Sequence, residues 1–236
     1  MRSDWRVIKS GPYDAKTNMA IDGRILSEYL ADGIPRFRIY SWSAPSITFG
    51  VSQKPEEVLD LERCGAEKIQ YVKRMTGGGV IFHDDELTYS LACSKDDIGP
   101  SDGTVAGSFK AICAFLIEFY ERLGLAPGFA VDRAPGEKIG AFSDFCFASK
   151  EKYDIVIAGK KMGGNAQKRT RQAIFQHGSI PVSFDRRRAA SLVKDKDGGA
   201  GCGAASLEEL LGRRPEREEL TDLLGGAFAK TFIAQQ

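Results

Sequence analysis

The order of hydrophobic patterns along this chain excludes most folds before any single residue is considered. Short runs that read as strands dominate its middle: "WRVIKSG" (5–11), "RFRIYSW" (36–42), "SITFG" (46–50), "IQYVKR" (69–74), "VIFHD" (80–84), "LTYSLAC" (87–93), "YDIVIAGKK" (153–161) and "QAIFQHGSIPV" (172–182). Helical spacing interrupts them irregularly. Over 14–33, Asp14 can cap a helix whose apolar face carries Ala15, Met19, Ile25, Leu26 and Tyr29. Residues 55–65 read as one helix between Pro55 and Gly65. Over 104–123, Val105, Phe109, Ile112, Leu116, Phe119 and Leu123 recur at helical steps until Gly124. Ser206 and Glu209 form a capping box, and Leu220, Leu223, Ala227 and Phe232 mark a last amphipathic helix. This order has no regular β-α-β rhythm, so it predicts an α+β fold with a largely antiparallel mixed sheet flanked by helices, not a Rossmann sheet. No repeat and no break in composition divides residues 1–236, which read as one domain.

Composition narrows the functional classes. A net charge of +1 leaves no electrostatic footprint of a nucleic-acid binder. No apolar run approaches the roughly 20 residues of a membrane span, and "MRSDWRVIKSG" has no signal-peptide core, so a cytoplasmic protein is expected. The five cysteines, at 64, 93, 113, 146 and 202, are odd in number and scattered, as expected for reduced thiols. With no CxxC and two histidines, a structural metal site is not expected.

Two glycine-containing stretches stand out. "RMTGGGVIFHDDELTYSL" (74–91) gives up three side chains in a row, at Gly77, Gly78 and Gly79. It lacks GxGxxG spacing and the GK[ST] ending. What remains is a bare backbone cradle whose N–H groups suit an anionic or carbonyl group, with Arg74 at its edge. On its own, Arg74 reads equally as a solvated strand-end residue. "GKKMGGNAQKR" (159–169) reads as a loop between strands, with Asn165 and Gln167 as turn residues. Alternation sends Lys160 and Lys161 to opposite faces, so one of them can face inward beside Gly163 and Gly164 and stabilise developing negative charge. Residues 185–206, polar and glycine-rich, read as a mobile loop.

Cys64, Cys93 and Cys113 read as small buried hydrophobes. Cys146, between two phenylalanines and about fifteen residues before the lysine pair, is the cysteine best placed to be a nucleophile, because a nearby ammonium lowers a thiol pKa. His83 and His177 each read more readily as hydrogen-bonded structural residues than as bases.

Together these segments resemble the lipoate–protein ligase and octanoyltransferase family, which also contains the biotin–protein ligases. The resemblance runs through "NMAIDGRIL" (18–26), "RIYSWSAPSITFGVSQ" (38–53), the GGG stretch, "CFASKEKYDIVIAGKKMGGNAQKR" (146–169), "FQHGSIPV" (175–182) and "SLEELLGRRPEREEL" (206–220). It implies that the two glycine stretches wall a tunnel for a medium-length acyl chain. The positions it marks for substrate binding are Arg74, Gly77, Gly78, Gly79, His83, Gly163, Gly164, Asn165, Ala166 and His177. Lys161, in the pattern K-x-x-G-x-A, is implied to bind the acyl carbonyl, and Cys146 looks like the nucleophile of one transferase branch.

The family holds two chemistries. The transferase route takes an octanoyl group from acyl carrier protein, holds it on a cysteine without a cofactor, and passes it to a lysine of a lipoyl domain or a glycine cleavage H-type protein. The ligase route activates lipoate with ATP and Mg through lipoyl-AMP. "HDDELTYS" and Cys146 resemble the first, whereas Gly79 is the ligase-like form of a position that is typically arginine in transferases. A chain of this length leaves no room for the accessory C-terminal domain of many ligases. The third reading, a non-catalytic binder of lipoate or a carrier protein, sits poorly with the intact Lys161 motif.

Overall fold

A computed structural model of the protein describes residues 4–99, 104–133, 153–194 and 204–234. Its first half contains β1 (Arg6–Lys9), α1 (Ala15–Asp32), β2 (Arg36–Tyr40), β3 (Ser46–Phe49), α2 (Pro55–Val58), α3 (Leu61–Ala66), β4 (Gln70–Lys73), β5 (Ile81–His83) and β6 (Glu86–Cys93). There follow α4 (Val105–Arg122), β7 (Gly128–Phe129), α5 (Ala130–Arg133), β8 (Ile155–Ile157), β9 (Lys160–Met162), β10 (Gly164–Arg169) and β11 (Ile174–Pro181). The last elements are α6 (Arg186–Ser191), β12 (Ala204–Ala205), α7 (Leu207–Leu211) and α8 (Arg217–Phe232).

The strands form a five-stranded sheet in the order β1-β2-β6-β11-β10, a four-stranded sheet β12-β9-β8-β7 and a three-stranded sheet β4-β3-β5. Each has one parallel pair, β1–β2, β12–β9 or β3–β4, and is otherwise antiparallel. This is the mixed, largely antiparallel α+β architecture expected from the element order.

The large sheet has two unlike faces, because alternate residues point to opposite sides. Phe37 and Ile39 of β2, Leu87, Tyr89, Leu91 and Cys93 of β6 and Ile174 and Ile180 of β11 join α4 and α8 in the main core. Phe37 stacks on Phe228 with ring centroids 3.7 Å apart. The other face is polar yet buried. Cross-strand pairing aligns one row across it as Arg38, Ser90, His177 and Ala166, and the next as Tyr40, Thr88, Ser179 and Gly164. Helix α1 and the three-stranded sheet lie toward this side, and a second apolar cluster, built on Ile47, Phe49 and Phe82, packs on the far face of that smaller sheet.

The structure revises four local expectations. The helix over 55–65 is broken: Leu59 is extended and bridges to Val193, and Asp60 starts α3 by accepting from Arg63 N–H. The stretch 159–169 is mostly strand, not loop. After the β8–β9 turn that ends at Gly159, at φ +76°, Gly163, at φ +70°, is a corner, and Asn165 and Gln167 lie in β10, paired along β11. Residues 185–206 contain α6 and β12. Val105 opens α4 exposed, off the face on which Ser108 and Ile112 are buried. Cys64, Cys93 and Cys113 are fully buried, as expected.

Candidate active site

A narrow slot opens between the polar face of the large sheet and the three-stranded sheet. Gly164 and Ala166 contribute almost no side chain to its wall, and Gly178 adds backbone only, its Cβ position lying on the opposite, Tyr89 side of the sheet. Tyr40, Thr88, His177 and Ser179 line it from the large sheet, Thr48, Ile81 and His83 from the smaller one, and Trp42 and Met19 from beside them. Small residues at alternate positions of β10 leave the room that the opposing sheet does not fill.

His83 sits in a fully partnered cluster. Its Nδ1 lies 2.8 Å from Glu86 Oε1 and its Nε2 2.8 Å from Thr48 Oγ1. Its ring stacks on Trp42 at 3.9 Å. Trp42 Nε1 donates to Glu86 Oε1 and to Thr88 Oγ1, and Ser179 Oγ donates to Glu86 Oε2. Burial opposes ionisation of Glu86, but the charge of a protonated His83 and the hydrogen bonds from His83, Ser179 and Thr88 overcome it and hold its pKa below the ordinary value. Because the carboxylate only accepts, His83 Nδ1 carries a proton.

His177 belongs to a second cluster. Its Nε2 is 2.8 Å from Thr76 Oγ1, and its Nδ1 is 3.4 Å from Asp22 Oδ2. Asp22 also accepts from Arg38 at 3.0 Å, Ser90 at 2.8 Å and Tyr40 at 3.1 Å. Burial pushes the His177 pKa down, against the raising effect of Asp22, and favours the neutral ring.

Arg74 is not a solvated strand-end residue but 1% exposed. Its guanidinium donates to the carbonyls of Gly77 at 2.6 Å, Gly79 at 2.7 Å and Thr48 at 3.2 Å. It therefore holds the glycine stretch in shape from inside. Gly78 has φ +90°, and a Cβ there would lie 2.9 Å from the guanidinium. Gly50 fits beneath it, where a Cβ would meet Gly78 O at 2.1 Å.

Lys160 is exposed and Lys161 buried, its Nζ 2.7 Å from Asp154 Oδ2. Lys161 lies three residues before the slot-lining Gly164, across the Gly163 corner. That corner passes so close to β11 that a Cβ on Gly163 would overlap Ser179 O. Asn165 faces the opposite side of the sheet, where its Oδ1 accepts from Tyr89 Oη at 2.7 Å in the main core. The expected nucleophile, Cys146, lies outside the described residues.

Of the residues expected from sequence, His83, His177, Gly164 and Ala166 meet in the slot, Arg74 and the three glycines form one loop, and Lys161, on β9, pairs with Asp154 and does not line the slot. Sequence reasoning missed Asn18, Asp22, Arg38, Trp42 and Glu86. The signal for two of them was present: Ala15, Asn18, Asp22, Ile25 and Tyr29 step by three and four, so both polar residues fall on the buried stripe of α1. Among the described residues, no group of three acidic, cysteine or histidine side chains could hold a metal ion, and no helix is long and apolar enough to cross a membrane.

Comparison with known proteins gives these features a context. Residues 14–229 match the family described as the lipoyl protein ligase A/B catalytic domain. The octanoyltransferase LipM of Oceanobacillus iheyensis is 35% identical over 186 residues, covering 78% of this chain and 66% of that protein's length. The octanoyltransferase LipM of Kyrpidia tusciae is 30% identical over 242 residues, covering 98% of this chain and 88% of its own. A crystal structure of lipoate–protein ligase A bound with ATP shares the fold, with a TM-score of 0.76 at 21% identity over 98% of this chain and 85% of that one.

Proposed function

The chain belongs to the lipoyl protein ligase A/B catalytic-domain family, and from that premise we propose that it transfers an octanoyl group from acyl carrier protein to a lysine of a lipoyl carrier domain, through a thioester on Cys146. The observation that carries this reading is the slot itself: its wall at Gly164 and Ala166 is bare, and the buried Lys161 stands three residues before its first glycine. Similarity to octanoyltransferases over as much as 98% of the chain supports the transferase branch.

In this reading the Cys146 thiolate attacks the donor thioester carbonyl and the donor's thiolate leaves, which conserves the activated acyl bond on the enzyme. The acceptor lysine amine then attacks that carbonyl, the amide forms, the amine proton is lost and the Cys146 thiolate is released. Lys161 supplies a positive charge for the oxyanion of either step. Arg74 shapes the glycine loop, whose backbone N–H groups receive the acyl head. The pinned His83 and His177 keep the slot open. The acceptor is a lipoyl domain or an H-type protein of glycine cleavage.

The ligase route remains the second reading because Gly79 has the ligase-like form. It requires ATP and Mg with free lipoate. The test is to offer octanoyl–carrier protein, or lipoate with ATP, together with an acceptor domain. Octanoylation of the acceptor without ATP, with a hydroxylamine-sensitive octanoyl adduct on the enzyme that Cys146→Ala lacks, is the expected result. Modification by Cys146→Ala that needs ATP and free acid establishes the ligase instead.

A further inference from the structure

The two walls of the slot are joined at one turn. His83, the last residue of β5, and Glu86, the first of β6, stand on strands of different sheets, and Asp84 and Asp85 connect them. β5 gives Ile81 and His83 to one wall, and β6 gives Thr88 to the other. The turn at 84–85 therefore sets how the walls stand to each other. From within, the contact of His83 with Glu86 bridges them at 2.8 Å.

Three arginines grip this turn from outside. Arg217, the first residue of α8, donates to Asp85 Oδ1 at 2.8 Å and to the backbone carbonyl of Glu86 at 2.7 Å. Arg214 lies 2.8 Å from Asp85 Oδ2. Arg188 of α6 lies 3.9 Å from Asp84 Oδ2, with its guanidinium over the Phe82 ring. The Asp85 carbonyl, in turn, accepts from the N–H groups of Val182 and Ser183. Arg217 is half-exposed, so its pair with Asp85 adds little to stability by itself. Its second bond differs in kind. It fixes the backbone of a buried residue whose carboxylate gathers His83, Trp42, Thr88 and Ser179. A forked guanidinium makes both bonds at once, which the point charge of an ammonium does not.

From this geometry we infer that Arg217 is a positioning residue for the slot: through Asp85 and the Glu86 backbone it fixes the turn that joins the two walls, and so the placement of His83 and Glu86. Its link to catalysis rests on the acyl-transfer reading, and its link to the slot does not. Trp42 reports on the slot directly, since it lines it, stacks on His83 and donates to Glu86. The chain's other tryptophan, Trp5, packs on Phe228 and Phe232 near the far end of α8. Fluorotryptophan labelling of the full chain gives one fluorine resonance for each, assigned with Trp5→Phe.

Arg217→Ala should move the Trp42 resonance and leave that of Trp5 in place, which shows α8 still docked. Arg213→Ala, which breaks an exposed pair with Glu219, should move neither. In the assay with octanoyl–carrier protein and an acceptor domain, Arg217→Ala should lower kcat about tenfold or more with KM unchanged, on the scale of the roughly 10²-fold loss that a 1 Å misplacement can cause. Arg217→Lys should recover part of both signals. If Arg217→Ala does not fold, Asp85→Asn, which removes the charge that both arginines share, supplies the comparison. A Trp42 shift with no transfer by any form, wild type included, supports the positioning role and removes the reaction assigned to the site. A raised KM with Trp42 unmoved means that Arg217 meets the carrier protein directly, and overturns the inference. So does a folded, active Arg217→Ala enzyme whose kcat is unchanged.

Discussion

Lys160 projects into solvent, while Lys161, one position on, is buried against Asp154. Removing one member of a buried ion pair typically costs about 3 kcal/mol, because the other charge stays in low dielectric. Lys161→Ala is therefore expected to lower stability measurably as well as to abolish acceptor modification, and Lys160→Ala to do neither. Assays run well below the melting temperature separate the two effects of Lys161→Ala, and a more damaging Lys160→Ala refutes the assignment. Glu86 makes a second residue-scale prediction. Its folded pKa lies below the ordinary 4.5, so its ionisation stabilises the fold above that pH, and the contribution is lost as pH falls through the lowered value. Glu86→Gln cannot accept all the donors of His83, Trp42, Thr88 and Ser179, and should cost about 1–3 kcal/mol near neutrality. Denaturant titrations from pH 7 to pH 3 should show the gap between wild type and variant narrowing below pH 4.5. A gap that stays constant would mean that the Glu86 carboxylate is not the stabilising species.

At the scale of elements, the two glycine stretches turn out to do different work. In the first, Gly77 has open space where a Cβ would sit, whereas Gly78 has positive φ and lies against Arg74. Gly77→Ala should therefore fold with near-native stability and Gly78→Ala should lose stability, with calorimetric melting as the measurement. Equal tolerance at both positions would show that Arg74 does not shape the loop. In the second stretch, the Gly163-Gly164 pair looks like a turn, but the pairing of β10 with β11 makes Gly164 through Arg169 strand and leaves Gly163 as the corner. That pairing involves residues up to fifteen positions apart, which local propensity cannot register. Helix α1 failed to be read fully for the opposite reason. Its spacing was visible, but counting only apolar residues hid Asn18 and Asp22 on the same stripe. Helices α4 and α8 were legible because their buried faces are apolar throughout much of their length.

Across the whole molecule, the fold is a large sheet with an oily face against α4 and α8 and a polar face around which the site is built. The oily face was readable from periodicity, and with it the α+β class. The polar face was not, because its partners are remote in sequence: Asp22 reaches Arg38, Tyr40, Ser90 and His177, which lie on α1's neighbours β2, β6 and β11. That single carboxylate ties α1 to three strands, so it makes the strongest global prediction. Asp22→Asn keeps the shape but removes the charge, leaving the fully buried Arg38 guanidinium without its carboxylate. The expected cost is about 3–5 kcal/mol, a large part of the roughly 5–15 kcal/mol that holds a domain together. At about 2–4 °C per kcal/mol for a chain of this size, calorimetry should show the melting temperature fall by about 6–20 °C. Asp222→Asn, which breaks the exposed pair with Lys9, is the control and should leave it unmoved. If the two variants melt together, the buried network is not what fastens α1 to the sheet, and the apolar contacts of Ile25, Leu26 and Tyr29 carry that load instead.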